Sequence, residues 1–128
     1  MAEKRYTRDH EWLIAEGSGV ATVGITRFAE EQLGDIVFVQ LPALGWEGAM
    51  SEEAAVVESV KAAGGVKMPV AGTVVETNSA VSDEPGKVNA DPEGEGWLFK
   101  IKMADPGQLA KLLDQVAYGD LLDACRSA

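Results

Sequence analysis

The sequence predicts a mostly β fold, a flattened antiparallel barrel-sandwich hybrid with a short helix after the first hairpin and helical structure at the C-terminus. Short runs of β-branched residues divided by glycine and proline are typical of antiparallel strands joined by turns. Two similar segments, Gly34-Asp35-Ile36-Val37 and Gly72-Thr73-Val74-Val75, lie on either side of Lys61 and suggest a repeated strand unit. Lys61, together with the two alanines and the two glycines Gly64 and Gly65 that follow it, forms the tip of a predicted hairpin.

The length and composition fit one globular domain. The chain has 128 residues, of which 46% are hydrophobic and 25% are charged. This composition supplies a core and differs from that of a disordered chain. We therefore expect a single domain over residues 1–128, with a core at about 5–104 and a C-terminal helical segment at about 105–126.

The charge of the chain excludes two classes of partner. Twenty-one acidic residues against 11 basic residues give a formal net charge of -10. Such a surplus repels both nucleic acid and anionic membrane surfaces. No apolar run is long enough to span a bilayer. We expect docking onto basic patches of other proteins instead.

Cysteine and histidine usage bears on compartment and on metal binding. Cys125 is the only cysteine and His10 the only histidine, so the sequence predicts neither an internal disulfide nor a metal site. No Ser-His-Asp set can be assembled around His10, and an enzyme is not expected. The segment from Met1 to Asp9 has neither an apolar signal core nor a transit pattern, which favours a cytoplasmic protein.

The first half of the chain reads as strands around one helix. Thr26 is a suitable helix cap, and Gly34 a suitable helix end. Pro42 ends the strand that follows. The predicted elements are a hairpin over 11–24 with its turn at 16–19, the helix between Thr26 and Gly34, strands over 35–41 and 54–60, and a loop over 44–51.

The second half ends in helical structure. Asp105 and Pro106 provide a cap and a first-turn proline. Leucine and valine then recur at helical spacing, which indicates an amphipathic helix. The predicted elements are strands over 68–70, 72–77 and 97–102, a polar loop over 78–96, a helix carrying Leu109, Leu112, Leu113 and Val116, and a second helical stretch over 118–125.

Strand alternation places the Lys61 side chain at the end of a sheet. Val57, Ser59 and Lys61 share one face of the predicted strand, so Lys61 projects outward where the strand stops. Two alanines and two glycines follow, and these small neighbours leave the amine open. Such a lysine suits covalent attachment of a swinging cofactor. A solubilising turn lysine has the same spacing, so the pattern leaves both interpretations open.

Several blocks along nearly the whole chain, taken together and in order, resemble the H proteins of the glycine cleavage system. The segment from Glu58 to Ala62 matches the lipoylation motif of that family, and Lys61 matches its modified lysine. The matching blocks are His10-Glu11-Trp12, Val23-Gly24-Ile25-Thr26, Leu33-Gly34-Asp35-Ile36-Val37, Leu41-Pro42, Val57-Glu58-Ser59-Val60-Lys61-Ala62, Pro69-Val70-Ala71-Gly72, and Val88-Asn89 with Asp91-Pro92 and Gly94-Glu95-Gly96-Trp97.

The resemblance implies a non-catalytic carrier of the lipoyl/biotinyl-carrier fold, with lipoate covalently attached to Lys61. Its arm would take the aminomethyl group from glycine decarboxylase, a pyridoxal-phosphate enzyme, to the aminomethyltransferase. It would then pass electrons to dihydrolipoamide dehydrogenase. Lipoylating enzymes are further implied partners. Glu58, Ser59, Val60 and Ala62 are the motif residues around Lys61, and Glu58 would serve recognition by these enzymes.

A protective cleft for the arm is also implied by the resemblance. Asp9 and Glu11 match positions where the family lines that cleft. Gly64 and Gly65 stand where family members usually carry Ser-Asp, so an acidic cleft residue is missing. We therefore expect the loaded arm to be held less tightly here, and slow release of the aminomethyl group would contradict this.

Two other carriers remain as alternatives. Val66-Lys67-Met68 partly matches the Met-Lys-Met of biotin carriers, but Lys67 follows the two glycines and reads more simply as a strand lysine. A carrier similar to the H proteins that serves lipoate relay has the same sequence features. Trp12 and Trp97 are expected to be core residues.

Overall fold

A computed structural model describes the backbone over residues 3–16 and 18–127, and side chains over 4–16, 18–105 and 107–124. The ends of the predicted domain and Gly17 of the predicted turn lie outside the described residues. The elements in chain order are β1 (Glu3–Tyr6), β2 (Glu11–Ala15), β3 (Val20–Ile25), α1 (Arg27–Leu33), β4 (Ile36–Gln40), β5 (Glu47–Gly48), β6 (Glu53–Ser59), β7 (Ala63–Lys67), β8 (Gly72–Thr77), α2 (Ser79–Asp83), α3 (Gly86–Ala90), β9 (Phe99–Met103), a 3-10 helix (Pro106–Lys111) and α4 (Gln115–Ser127).

The strands form two antiparallel sheets, which confirms the predicted fold class. The larger sheet has the order β1-β2-β3-β9-β8-β5, and the smaller has the order β4-β6-β7. The two similar glycine segments of the sequence fall in different sheets. Ile36 begins β4 of the smaller sheet, whereas Gly72 begins β8 of the larger. Lys61 lies between them, in the turn that joins β6 to β7.

Both sheets contribute side chains to one apolar core. Val57 and Val66 of the smaller sheet are buried together with Val23, Phe99 and Ile101 of the larger. Burial of such side chains is the main stabilising contribution to a fold of this kind. The smaller sheet is therefore held against the larger one, and its hairpin tip projects from a packed base.

A second, aromatic cluster attaches the C-terminal helix. The rings of Tyr6 and Tyr118 stack with centroids 4.3 Å apart, and Trp12 is buried beside them. The Trp12 indole donates a hydrogen bond to the Pro92 carbonyl over 2.9 Å. Trp12 is thus a core residue as predicted, while Trp97 is only partly buried against this cluster.

The helix after the first hairpin forms as predicted. The Thr26 hydroxyl accepts a hydrogen bond from the Ala29 amide over 3.3 Å and caps α1. Gly34 ends the helix with a φ of 82°, a backbone conformation that glycine adopts without strain. No helix in the described part of the chain is both long and apolar enough to span a membrane.

The predicted strand over 68–70 is wrong, because the chain runs as β7 from Ala63 to Lys67 instead. Gly64 and Gly65, which resemble a turn in the sequence, lie within this strand. A side chain on Gly64 would contact Leu33, and one on Gly65 would meet Glu53. The two glycines therefore reflect close cross-element contacts and not a reversal of the chain.

Four further segments differ from prediction. The polar loop over 78–96 contains the short helices α2 and α3, and the loop over 44–51 contains β5. The polar N-terminal segment contains β1. The predicted amphipathic helix is a 3-10 turn, after which Leu113 pairs with Tyr6 through two backbone hydrogen bonds of 2.8 Å. This pairing holds the chain extended, so α4 begins only at Gln115 and Val116 is 75% exposed.

Candidate functional site

The turn between β6 and β7 presents Lys61 to solvent. The Ser59 hydroxyl accepts hydrogen bonds from the amides of Lys61 (3.3 Å) and Ala62 (3.0 Å), and it donates one to the Ala62 carbonyl. The Ser59 amide also donates to the Ala62 carbonyl over 2.7 Å. A single side chain therefore satisfies both amides of the reversal, as Ser side chains do in local turns.

The hairpin tip is attached to the beginning of β4. The Val60 amide donates a hydrogen bond to the Asp35 carbonyl over 3.1 Å. The Lys61 chain then passes over Gly34, since a Cβ atom on Gly34 would lie 3.4 Å from Lys61 Cε. Gly34 thus combines two roles, because it ends α1 and it leaves room beside the lysine.

Asn89 of α3 holds the segment on which the tip rests. Its side-chain oxygen accepts from the Ile36 amide over 2.8 Å. Its side-chain nitrogen donates to the Gly34 carbonyl and to Glu30, each over 2.8 Å. Glu30 is buried and pairs with Arg27 over 2.5 Å. This network fixes the connection between α1 and β4 beneath Lys61.

A cleft of about 200 Å³ opens between α1 and β7, beside the hairpin. Phe28 and Leu33 form its helical wall, and Val57 and Val66 form part of its floor. Gly64 and Gly65 line the strand side, and a Cβ atom on Gly64 would lie 3.4 Å from Leu33 of the helical wall. The cleft is thus largely apolar, and its lining residues on β7 lie three to five positions after Lys61.

The two predicted cleft carboxylates have different environments. Glu11 is 2% exposed and accepts hydrogen bonds from the Thr7 hydroxyl (2.7 Å) and the Lys67 amide (3.1 Å). Burial raises the pKa of Glu11 above its ordinary value, with Thr7 and Lys67 opposing the shift. Asp9 is exposed and lies 3.4 Å from the Lys67 ammonium group. Both line the cleft, but Glu11 mainly stabilises the backbone of β7 through its hydrogen bond with the Lys67 amide.

His10 closes one end of the cleft. Its Nδ1 lies 2.9 Å from the Tyr118 hydroxyl, which donates to Thr26 over 2.7 Å. His10, Tyr118 and Thr26 thus form one chain of hydrogen bonds, in which the His10 tautomer sets the direction of the first. Burial lowers the pKa of His10, and nearby Asp9 opposes the shift. This imidazole thus links α1 to α4.

Lys67 is a strand residue and not a tip residue. It pairs with Glu53 across β6 and β7, and its ammonium group contacts Asp9. Its backbone amide is bound by Glu11. The presentation expected of a carrier lysine is therefore found at Lys61 and is absent at Lys67.

The sequence did not predict the roles of Glu30 and Asn89, or the proximity of Gly34 to the Lys61 side chain. Asn89 was part of a matching block, yet its partners lie 53 to 59 positions away along the chain. A lone asparagine beside a buried valine, within a segment interpreted as loop, gives no local signal of such contacts. These contacts of Asn89 become visible only when α3 packs against the α1–β4 connection.

Two antiparallel sheets around one core, with an exposed lysine at a hairpin tip, define the barrel-sandwich fold of the lipoyl-carrier proteins. Residues 4–124 match the family model of the glycine cleavage H-protein. The chain therefore belongs to the glycine cleavage H-protein family, a family of carrier proteins known to bear lipoate. Membership also implies partner enzymes within that system.

Individual relatives agree with this assignment. The chain is 54% identical over 124 residues to glycine cleavage system H protein 1 of Pseudomonas aeruginosa, covering 97% of each chain. It is 56% identical over 118 residues to the glycine cleavage system H protein of Bradyrhizobium diazoefficiens, covering 92% of this chain and 96% of the relative. A crystal structure of a glycine cleavage system H protein from Mycobacterium marinum superposes with a TM-score of 0.83 at 39% identity, covering 92% of this chain and 94% of the other.

Proposed function

We propose that Lys61 carries lipoate through an amide bond to its side-chain nitrogen. The observation that supports this most directly is the presentation of Lys61, exposed in a turn that Ser59 organises through three hydrogen bonds of its hydroxyl group. An attaching enzyme needs free access to the amine, and the small residues that follow Lys61 leave it open. Acylation removes one positive charge from a protein that is already acidic.

The cleft beside the tip suits this group. A lipoyl arm is an aliphatic chain ending in a disulfide ring, and the cleft walls of Phe28, Leu33, Val57 and Val66 are apolar. When bound, lipoate supplies the sulfur chemistry of group transfer and electron transfer. The protein supplies the tether and the surface that other proteins bind.

The carrier cycle follows as part of the same proposal. The arm takes the aminomethyl group from glycine decarboxylase to the aminomethyltransferase and delivers electrons to dihydrolipoamide dehydrogenase. The chain itself acts without catalysis and also binds the lipoylating enzymes, for which Glu58, Val60 and Ala62 border the modified residue. Its single cysteine, Cys125, fits a reducing compartment such as the cytoplasm.

Intact mass of natively produced protein tests the attachment. We expect a single lipoyl adduct on the wild-type chain and on Lys67→Ala, and none on Lys61→Ala. An adduct that persists in Lys61→Ala would refute the proposal. An adduct with the mass of a biotinyl group would show that the cofactor is biotin and not lipoate. Reconstitution with the three glycine cleavage enzymes then tests the cycle, which should turn over only with the lipoylated wild-type chain.

A further inference from the structure

The outer face of β4 carries an apolar patch next to the hairpin tip. β4 and β6 are out of regular register between Ile36 and Phe38, so β4 contains a bulge at Val37. Val37 is 54% exposed and Phe38 48% exposed, while Ile36 and Val39 on either side are buried. A regular strand would direct consecutive residues to opposite faces, whereas this bulge exposes two adjacent apolar side chains.

The patch is continuous with the turn that holds Lys61. Phe38 is paired with Glu58 across the strands, and Val60 follows two positions later on the same side. Val60 is 72% exposed, and its amide is bonded to the Asp35 carbonyl two residues before Val37. Val37, Phe38 and Val60, here called the bulge patch, are therefore exposed apolar residues next to the turn that holds Lys61.

Carboxylates border the bulge patch. Asp35 and Glu58 are both exposed, and neither side chain forms an ion pair within the described part of the chain. None of the patch residues lines the cleft between α1 and β7. The patch is thus a separate surface, apolar at its centre and acidic at its edge. A complementary partner surface is apolar at its centre and basic at its edge.

We propose that the bulge patch is the docking surface for the enzyme that acylates Lys61, which rests on the proposed function. An enzyme acting on the Lys61 nitrogen must approach within one lysine side chain of the backbone, and it therefore covers Val60. An enzyme that acts at the far end of a finished arm has its active site a whole arm length away from Lys61. The patch lies where only the first kind of enzyme is obliged to make contact.

The experiment compares acylation of full-length variants by a purified lipoate–protein ligase supplied with ATP and lipoic acid. Phe38→Ser and Val37→Ser should each lower kcat/KM for adduct formation at least about tenfold, as truncation of a buried anchor does. Phe38→Leu should retain most of the rate. Val116→Ser, which removes an even more exposed apolar side chain from α4, serves as the control and should react as wild type.

A second measurement separates docking from misfolding and from other partners. Amide NMR signals of Val37 and Phe38 should shift when the unmodified wild-type chain is titrated with the ligase. Wild-type acylation rates in both serine variants, or shifts confined to the cleft, would overturn the docking proposal. Two other results would also overturn it. If Phe38→Ser is acylated normally but is used poorly by glycine decarboxylase, the patch binds that enzyme. If the wild-type chain is a dimer and Phe38→Ser is not, the patch binds a second copy of the chain. Failure of the wild-type chain to accept lipoate would refute the proposed function instead.

Discussion

The Oε2 atom of Glu53 lies 2.8 Å from the position that a Cβ atom on Gly65 would occupy. Glu53 begins β6 and Gly65 lies on the neighbouring strand β7, so the carboxylate covers the glycine across the sheet. The sequence predicts that an acidic cleft residue is missing here, because Gly65 stands where the resemblance to the family implies one. The structure brings a carboxylate to this place from a different strand, and the space beside Gly65 is already occupied.

An acidic side chain at position 65 should therefore be coupled to Glu53. Like charges on adjacent strands are destabilising, whereas an amide of the same size is tolerated. We expect Gly65→Asp to have an unfolding free energy about 0.5–1 kcal/mol below that of Gly65→Asn at neutral pH. Glu53→Gln should abolish this difference, while Glu58→Gln, on the same strand, should leave it. Urea unfolding of the six chains measures the coupling, and equal stabilities of the Asp and Asn variants would contradict it.

Ser59 should be required for presentation of Lys61 more than for folding. Ser59→Ala leaves the amides of Lys61 and Ala62 without their hydroxyl acceptor, although water reaches both. We expect a loss of about 0.5–1.5 kcal/mol in unfolding free energy. We also expect slower lipoyl addition to Lys61, because the turn then samples other conformations. Ser59→Thr keeps the hydroxyl and should restore both quantities. An acylation rate in Ser59→Ala equal to wild type would show that the turn needs no such support.

These relationships show which features a sequence can predict. Thr26 and Gly34 were predicted correctly because a cap and a helix end act within one turn of the chain. The position of Lys61 followed from strand alternation, which is equally local. By contrast, Gly64 and Gly65 were read as a turn, since their reason for being glycine lies on α1 and β6. Leu113 was assigned to a helix because its pairing with Tyr6 spans nearly the whole chain.

Asn89 should be sensitive even to an isosteric change. Asn89→Asp keeps the shape but removes the donor to Glu30 and to the Gly34 carbonyl, and it places a second carboxylate beside Glu30. We expect unfolding free energy to fall by about 2 kcal/mol, the cost of leaving partly buried polar groups unpaired. Glu30→Gln in the same chain supplies a new donor and should recover part of the loss. Thermal unfolding measures both, and an undisturbed Asn89→Asp would exclude Asn89 as the group that holds the α1–β4 connection.

His10 should make folding stability depend on pH near neutrality. Burial lowers the pKa of His10 below the unfolded value of 6.5, so the unfolded chain binds the proton more readily. Stability should therefore decrease as pH falls through 6.5 and should cease to decrease, from this group, below the folded pKa. Glu11 has the opposite sign, because its raised pKa adds stability as pH falls toward 4.5.

A variant at position 10 isolates the histidine contribution. His10 has a φ of 68°, a conformation that asparagine tolerates better than most residues, so His10→Asn removes the ring with little added backbone strain. As pH falls from 7.5 to 5.5, the unfolding free energy of wild type should decrease relative to that of His10→Asn. Glu11 titrates in both chains and cancels from this difference. A difference that is constant over the range would mean that His10 has the same proton affinity in the folded and unfolded chains. His10 would then make no contribution to the pH dependence of the unfolding free energy.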